Sequence, residues 1–323
     1  MLVAYADGSS ERAIDVKNAL MKQYQMSNLG PAKQFLGLDI TLLPDISIVL
    51  SQQSYIDSVV KRFGMEDANS APIPLYHKIR LDTDMSTDRE ADSAIYQAIV
   101  GSLIYAATST HPNIAYSVAA LYRYNAKPYT MHLTAAKRVL RYLKSTSDVG
   151  LVFPGRSKST EDTDALVGYT DSDFAGDRAD RKSQGGFIFH AYGGPIDWQS
   201  KKQLLVATST TEAEYVACSE TTRKARCLIQ LHKVVTSELV SPLIYCNSNG
   251  ALKNFWSGVS SAKTKHIDIR FHDSRELHAQ VIVKFAYVST DENLADIMTK
   301  PLRPECHRRL VGGMGLFRVE DMD

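Results

Sequence analysis

The chain has 323 residues, enough for two ordinary domains, and its 44% apolar and 23% charged content is typical of a soluble globular protein. The longest nearly uninterrupted apolar run, AIVGSLIYAA at Ala98 to Ala107, is about half as long as a membrane span. The first residues also lack the basic segment and apolar core of a secretory signal. The four cysteines are scattered without metal-ligand spacing, which predicts reduced thiols in an intracellular protein.

The first half of the chain is predicted to be mainly helical. The stretch SSERAIDVKNALMKQY has Ser10 as an N-cap and apolar residues at helical spacing, and SQQSYIDSVVKRFGM repeats the helical pattern. Between these two helices, GPAKQFLGLDITLLPDISIVLSQ indicates two strands around a turn at Pro44-Asp45. The helical pattern resumes at Ser93, after a linker and an acidic loop.

The net charge of +1 conceals a basic segment, because residues 93–147 contain neither Asp nor Glu. Within it, MHLTAAKRVLRYLKS predicts a helix with one apolar and one basic face. The basic face fits either a solvated surface or phosphate contact, and the absence of nearby acids favours phosphate contact. The predicted nucleic-acid contacts are on this helix and in a later basic pair: Lys137, Arg138, Arg141, Lys144, Lys201 and Lys202.

The second half alternates strands and helices after a turn-rich boundary at 154–165. ALVGYTDSD predicts a strand, GGFIFHAYGGPIDWQS a hairpin turning at Gly193-Gly194, and STTEAEYVACSETTRKARCLIQLHKVV a long helix. PLIYCN and VIVKFAYV follow as strands, with NGALKNFW, KTKHIDIRFHDSRELHA and DENLADIMTK as helices. The residues around GGMG near the C-terminus are predicted to be a flexible tail. This order predicts a mixed α/β sheet with flanking helices.

Three acids occupy informative positions in this order. Asp171 ends the first strand, Glu212 lies in the first turn of the long helix, and Asp296 is among apolar residues late in the chain. Each acid also has a structural interpretation: a strand-end turn residue, a capping box with Ser209, and a helix-surface acid. Thr211 with Glu214 forms an equally good capping box, which leaves Glu212 free for a functional role.

The order of these positions is that of the ribonuclease H fold: an Asp in a strand, a Glu in a helix, a strand-end position at 247 and an Asp in a late helix. In that fold such acids meet at one end of the sheet. Clustered oxygen ligands suit Mg²⁺, and two such ions activate a water and stabilise the leaving oxygen of a phosphodiester. The order therefore predicts that the three acids meet at one end of the sheet.

The second half also resembles a known family through GYTDSDFAGDRADRKSQGGFIF, PIDWQSKKQLLVATSTTEAEYVA, TKHIDIRFHDSRE and LADIMTKPL. These strings are similar to the ribonuclease H domain of copia-type retrotransposon Pol polyproteins. The resemblance covers nearly all of residues 166–302. It implies hydrolysis of the RNA strand of an RNA/DNA hybrid, with two Mg²⁺ ions held by Asp171, Glu212 and Asp296.

The first half continues the resemblance in MSNLGPAKQFLGLDI, LSQQSYIDSVVKRFGM, GSLIYAATSTHPNIAYSVAAL and AAKRVLRYLKST. It implies that residues 1–153 are the palm end, thumb and connection of a reverse transcriptase, followed by a linker at 154–165, the ribonuclease H domain and a tail at 303–323. Expected partners are an RNA/DNA hybrid or other duplex and further Pol or Gag components, without a membrane. The expected location is a cytoplasmic virus-like particle, the nucleus or both.

Two departures from the family pattern affect the expected activities. Asp7 is followed by Gly8 where the polymerase strand has two aspartates, and most of the palm would precede Met1, so the chain is expected not to polymerise DNA alone. In IYCNSNGA, Asn247 replaces the family's remaining acidic ligand with an uncharged amide. We expect weakened Mg²⁺ binding and impaired nuclease activity. The alternative is a catalytically inactive nucleic-acid-binding remnant or repurposed scaffold.

Overall fold

The computed structural model describes residues 10–25, 30–82, 88–155, 166–256, 282–318 and 320. The predicted polymerase strand at Asp7 and Gly8, most of the 154–165 boundary and the helix predicted in KTKHIDIRFHDSRELHA lie outside these residues. Among the described residues, no helix has both the length and the apolar character needed to span a bilayer.

The first unit packs helices around one apolar core. Its helices are α1 Ser10–Gln23, α2 Gln53–Arg62, α3 Ser93–Ser109, α4 Ala115–Tyr122 and α5 Thr130–Lys144, with a short 3-10 helix at Pro112–Ile114. Helix α3 begins where Asp92 Oδ1 accepts hydrogen bonds from the Ala94 and Ile95 backbone N–H groups, at 2.9 and 3.1 Å. Leu103 of α3 and Val139 of α5 are fully buried in this core. Burial of such side chains is the main source of stability in the unit.

A five-stranded sheet accompanies these helices, in the order β1-β2-β3-β4-β10. Its strands are β1 Gln34–Phe35, β2 Leu38–Leu42, β3 Ile48–Ser51, β4 Val149–Phe153 and β10 Leu316–Arg318. The predicted turn at Pro44-Asp45 lies between β2 and β3, where Asp45 Oδ1 accepts a hydrogen bond from the Ser47 backbone at 3.0 Å.

The expectation of a flexible tail around GGMG, at Gly312 to Gly315, is wrong. Helix α8 spans Pro304–Gly313, and β10 pairs antiparallel with β4. The reason is burial, because Leu310, Met314 and Leu316 are each no more than 3% exposed. Gly312 and Gly313 lie within the last turn of α8 and do not form a loose segment.

The second sheet has the strand order β7-β6-β5-β8-β9. Its strands are β5 Val167–Asp173, β6 Gln184–Ala191, β7 Gly194–Lys202, β8 Leu243–Cys246 and β9 Lys284–Tyr287. Strands β5, β6 and β7 are antiparallel, whereas β8 and β9 run parallel to β5. This mixed sheet with its flanking helices confirms the predicted ribonuclease H-like α/β fold. The β6–β7 hairpin turns at Tyr192 and Gly193, one residue earlier than predicted, and both have positive φ (55° and 77°), as a type I′ turn requires.

Helices cover both faces of the second sheet. Helix α6 Thr210–Thr236 packs on one face, where Phe187 and Phe189 meet Tyr215, and α7 Asn249–Trp256 follows β8. On the other face, Ile188 belongs to an apolar cluster that also contains residues of α8 and of a 3-10 helix at Leu294–Met298, called here the late 3-10 helix. The late 3-10 helix corresponds to the short helix predicted in DENLADIMTK.

Candidate active site

The parallel pairing of β5 with β8 brings Asp171 and Asn247 together. Thr170 lies opposite Cys246 in the register, so the next residue of each strand emerges at the same edge of the sheet. Asn247 Nδ2 donates hydrogen bonds to Asp171 Oδ1 and to Thr290 Oγ1, both at 3.3 Å. The amide of Asn247 therefore holds one carboxylate oxygen of Asp171, a residue that is only 1% exposed.

The late 3-10 helix carries Asp296 to the same place, although the two acids are 125 positions apart in the chain. Asn293 fixes this helix to β5, because its Nδ2 donates to the Thr170 carbonyl at 2.9 Å while its Oδ1 caps the Ala295 N–H at 3.1 Å. Thr299 then donates its hydroxyl hydrogen to Asp171 Oδ2. Asp171 and Asp296 thus share one pocket, as the sequence order predicts.

Lys300 is a cation within this pocket. Its Nζ lies 2.9 Å from Asp296 Oδ1 and 3.9 Å from Asp171 Oδ2. Burial raises the pKa of Asp296 and the nearby charge of Asp171 raises it further, to about 7, although Lys300 opposes the shift. Burial alone would lower the pKa of Lys300, but the charges of Asp171 and Asp296 outweigh it and raise that pKa.

Glu212, the predicted acid on α6, has a different role in the structure. Its carboxylate accepts hydrogen bonds from the Thr208 backbone N–H and hydroxyl, both at 2.6 Å. Its own N–H donates to Ser209 Oγ at 3.2 Å, so the structural interpretation as a helix-capping residue is the one that the structure shows.

Glu214 is the acid of α6 that lies beside Asp171. Two residues further along a helix turn a side chain by about 200°, which directs Glu214 toward the sheet. It is 9% exposed, and its Oε2 has no hydrogen-bond partner among the described residues. Burial raises the pKa of Glu214 well above its usual range, and the charge of Asp171 raises it further, whereas a hydrogen bond from the Ser172 backbone opposes the shift. The sequence carried a signal for Glu214: it shares a buried helical face with Cys218, Thr221 and Ala225.

The oxygen atoms of the pocket suit a hard divalent cation. In the arrangement seen, no three Asp, Glu, His or Cys side chains of the described residues lie close enough together to hold a metal ion. However, Glu214 Oε2 and Asn247 Oδ1 are buried without hydrogen-bond partners in the described part of the chain. Buried polar atoms of this kind are costly unless something compensates them. These atoms and the carboxylate oxygens of Asp171 and Asp296 are all of the ligand type that Mg²⁺ prefers.

Three of the predicted phosphate contacts on α5 bind the chain itself. The Arg138 guanidinium stacks 3.5 Å above the Tyr76 ring, and the residue is 7% exposed. Arg141 donates to the carbonyls of Asn69 and Ser70. Lys144 donates to the carbonyls of Glu66 and Ala68, the latter at 2.9 Å. These three cations therefore contact carbonyl oxygens or an aromatic ring of the chain itself, and of the four only Lys137 is exposed.

The two lysines of the later basic pair also differ, because one of them binds acids of the chain itself and the other is exposed. Lys202 Nζ lies 2.8 Å from Asp177 Oδ2 and 3.0 Å from Asp180 Oδ2, and Arg123 of the first unit shares Asp177 at 2.8 Å. Lys202 therefore belongs to an ion-pair network that joins the two units, whereas Lys201 is exposed. Sequence reasoning missed two further exposed cations, Arg178 and Arg181, in the connection between β5 and β6.

The mixed sheet with acids at one edge and helices on both faces gives the second unit a ribonuclease H-like fold. Residues 2–77 match the family model described as reverse transcriptase (RNA-dependent DNA polymerase). The Retrovirus-related Pol polyprotein from transposon TNT 1-94 of Nicotiana tabacum is 38% identical over 88% of this chain and 22% of its own length. The chain belongs to the family of copia-type retrotransposon Pol polyproteins.

Two further comparisons give the extent of the similarity. The Pol polyprotein from transposon RE1 of Arabidopsis thaliana is 33% identical over 93% of this chain and 20% of its own length. The chain thus spans about a fifth of the length of these curated relatives. Among solved structures, LC11-RNase H1 in complex with RNA/DNA hybrid covers 42% of this chain and 93% of its own, with 17% identity and a TM-score of 0.32.

Proposed function

We propose that this chain contributes Mg²⁺-dependent hydrolysis of the RNA strand of an RNA/DNA hybrid, with turnover strongly lowered by Asn247. The observation that carries the proposal is the pocket in which Asp171 and Asp296 meet and onto which Glu214 faces from α6. We also propose a setting inside the cell, in a virus-like particle or the nucleus, with further Pol or Gag components as partners; the relatives' names, Pol polyproteins from transposons, support the Pol partners.

We assign the metal-ligand role to Asp171, Glu214 and Asp296, and not to Glu212. Bound Mg²⁺ would supply the activation of the attacking water and the stabilisation of the leaving oxygen. Thr299 fixes the orientation of the Asp171 carboxylate through its hydroxyl hydrogen bond. Asn293 holds the late 3-10 helix on β5 and thereby positions Asp296. Such positioning matters because small displacements of catalytic groups reduce rates by large factors.

Asn247 weakens the site for two reasons. Its amide contributes a carbonyl oxygen but no negative charge, and closely spaced dications need carboxylate charge to offset their repulsion. Its Nδ2 also donates to Asp171 Oδ1 at 3.3 Å, which occupies an oxygen that a metal ion would use. Hydrolysis is therefore expected to be slow, and single-turnover conditions with protein in excess over labelled hybrid make a slow rate measurable.

The assignment of Glu214 is tested by a matched pair of substitutions. Glu214→Gln is expected to lower Mg²⁺-dependent RNA cleavage by about 10²-fold or more, because it removes a charge from a cluster that acts as a unit. Glu212→Gln is expected to leave the rate within about twofold, because glutamine also serves in a capping box. The measurement is the single-turnover rate with a 5′-labelled RNA strand in a hybrid.

The background for this pair is the Asn247→Asp protein, in which the larger starting rate makes a loss easier to measure. Asp171→Asn serves as the inactive reference. Cleavage that survives Asp171→Asn at the starting rate would overturn the proposed function itself. A loss confined to Glu212→Gln would instead overturn only the choice between the two glutamates.

A second candidate function, nucleic-acid binding without turnover, is favoured by the internal neutralisation of the pocket. Asn247 and Lys300 already engage the carboxylates that a metal ion would use. Exposed cations also lie near the same edge of the sheet. Lys201 pairs with Gly185, and Gly185 pairs with Ser172, so Lys201 is two strands, or about 10 Å, from the residue that follows Asp171.

If the exposed cations Arg178 and Arg181 bind the phosphates of the hybrid, replacing them changes how the binding constant depends on salt. Reversing the charge of both Arg178 and Arg181 is expected to weaken hybrid binding and to reduce the slope of log K against log salt by roughly 1 to 2. Reversing Lys233 and Lys284, which are exposed away from the acid pocket, provides a control with the same change in net charge. Fluorescence anisotropy at several salt concentrations measures both slopes. Equal slopes for the two double variants would argue against a phosphate contact at the 178–181 loop.

A further inference from the structure

A cavity lies between β6, β7 and α6, on the face of the second sheet that α6 covers. We call it the β6–α6 cavity. It contains about 510 Å³ of space that protein atoms leave free, including open solvent at its mouth. Ligand sites in proteins are commonly of this size. The residues of its lining that matter here all lie outside the acid pocket: Gly185, Phe187, Gln203, Leu204, Val216 and Ala217.

The cavity exists because β6 has a glycine where its row of inward side chains would continue. Alternate residues of a strand share a face, so Gly185 faces α6 together with Phe187. A Cβ atom at Gly185 would lie 3.6 Å from its nearest neighbour, Gln203 Nε2, which is ordinary contact. At Gly186, on the opposite face, a Cβ atom would lie 2.4 Å from Met298 Cβ. Packing therefore requires the glycine at 186, whereas the glycine at 185 leaves space that a side chain could fill.

Gln203 places an unpaired hydrogen-bond acceptor in the wall of the cavity. The residue is 8% exposed, and its Nε2 donates to Ser172 Oγ at 3.2 Å and to the Ala213 carbonyl at 2.9 Å. These two bonds use both amide hydrogens and hold the amide in one orientation. Its Oε1 is buried and has no hydrogen-bond partner among the described residues. A buried acceptor of this kind costs stability, which a ligand with an N–H or O–H group would recover.

The mouth of the cavity favours an uncharged ligand. Leu204 lines it and is 71% exposed, so an apolar side chain stands at the entrance. The charged residues of the lining are Lys201, Lys202 and Glu220. Lys202 is paired with two aspartates, and Glu220 accepts a hydrogen bond from Arg223. Two of the three charges are therefore satisfied within the chain, and the buried walls at Phe187 and α6 are apolar.

We propose that the β6–α6 cavity binds a flat, neutral aromatic molecule that carries one N–H or O–H donor. The ring occupies the space that Gly185 leaves beside Phe187, and the donor binds Gln203 Oε1. The apolar walls disfavour a strongly polar or charged ligand, whose hydration would be lost without compensation. The site uses none of the residues assigned to hydrolysis, so the proposal does not depend on the proposed function.

The test compares two probes of nearly the same shape, indole and benzothiophene, of which only indole has an N–H donor. Ligand-observed saturation-transfer NMR with the full chain measures the dissociation constant of each probe. Indole is expected to bind at least about tenfold more tightly, because it pairs the buried Gln203 oxygen and benzothiophene leaves that oxygen unpaired. The same titration with Asp171→Asn protein is expected to give the wild-type result.

Two substitutions test the location of the site. Gly185→Val fills the cavity from β6, favours a strand, and is expected to weaken indole binding by about tenfold or more. Leu204→Ser removes the apolar side chain at the mouth and is expected to weaken it by about threefold. Leu239→Ser is the matched control, because Leu239 is 74% exposed and follows the far end of α6. It is expected to leave the affinity within about twofold.

Thermal unfolding establishes that each variant is folded, and Gly185→Ala, with a single added methyl group, replaces Gly185→Val if the latter unfolds. Equal affinity for indole and benzothiophene would overturn the hydrogen bond to Gln203 and with it the proposal. Undiminished binding in the folded Gly185 variant, or equal losses in Leu204→Ser and Leu239→Ser, would place the probe elsewhere. No binding of indole up to its solubility limit would also overturn the inference. None of these outcomes bears on the cleavage of a hybrid.

Discussion

Replacing Asn247 with aspartate is expected to raise the rate of Mg²⁺-dependent RNA cleavage in an RNA/DNA hybrid by about 10²–10³-fold. The substitution restores a charge at the end of β8, next to Asp171, and removes the amide hydrogen bond that now occupies Asp171 Oδ1. Both changes favour metal binding, so the Mg²⁺ concentration needed for half-maximal rate is also expected to fall. The size of the effect reflects a cluster whose members act together.

The matched control is Asn249→Asp, two residues later at the start of α7. Asn249 is exposed, and a carboxylate in the first turn of a helix is well tolerated, so this variant adds the same charge without reaching the pocket. Single-turnover cleavage of one labelled hybrid compares the three proteins directly. Equal and rapid cleavage by wild-type and Asn247→Asp proteins would show that Asn247 does not limit the reaction.

Acidification is expected to destabilise the fold through two buried histidines, His111 and His307. As whole residues they are 0% and 5% exposed, and burial lowers the pKa of each to about 4. His111 Nδ1 contacts the Thr110 hydroxyl at 2.8 Å, and the His307 ring packs edge-on against Tyr142 with centroids 5.5 Å apart. Within the part of the chain that the structure describes, no carboxylate contributes to the pKa of either histidine and could stabilise an imidazolium ion.

The folded pKa values lie below the unfolded value of about 6.5. Between about pH 6.5 and 4, the two histidines are therefore protonated in the unfolded chain but neutral in the folded chain. The contribution of the two neutral histidines to the stability of the folded state is complete above about pH 6.5. It is lost as the pH falls toward 4, where the histidines are protonated in both the folded and the unfolded state. Between pH 7 and 5 the two histidines together are expected to reduce the free energy of unfolding by about 3–4 kcal/mol. Urea unfolding at pH 7, 6 and 5 measures the change.

Asp296 acts in the opposite direction, because its pKa is raised to about 7 in the folded state and acidification relieves the cost of its ionisation. The informative quantity is therefore the difference between variants. His111→Gln and His307→Gln are each expected to remove about half of the histidine contribution, whereas His77→Gln, at an exposed position, is expected to remove none. Identical pH dependence in all four proteins would exclude the buried histidines as the source.

Much of the second unit was predictable because its strands and helices have clear periodicity. The order of strands and helices placed Asp171, position 247 and Asp296 at one edge of the sheet, and parallel register brings the first two into hydrogen-bond contact. The choice between Glu212 and Glu214 was not predictable from capping patterns alone, because both glutamates fit a capping box. Only the side of α6 that packs on the sheet distinguishes them.

The roles of the basic residues depended on partners that are far away in the sequence. Arg138 stacks on Tyr76, and Lys144 binds the Glu66 and Ala68 carbonyls, at separations of more than sixty residues. A local count of charges cannot identify such contacts. The C-terminal helix was missed for a related reason, since the sheet and core that bury Leu310 are formed by distant strands.

Because β10 pairs with β4, the sheet of the first unit includes residues that follow the second unit in the chain. Helix α8 also contributes Leu310 to the apolar cluster that contains Ile188 of the second sheet. A stop codon shortly after Leu302 would remove no residue of the acid pocket, yet it would expose an edge of one sheet and an apolar face of the other. Such a truncation would turn a folded chain into an aggregation-prone one.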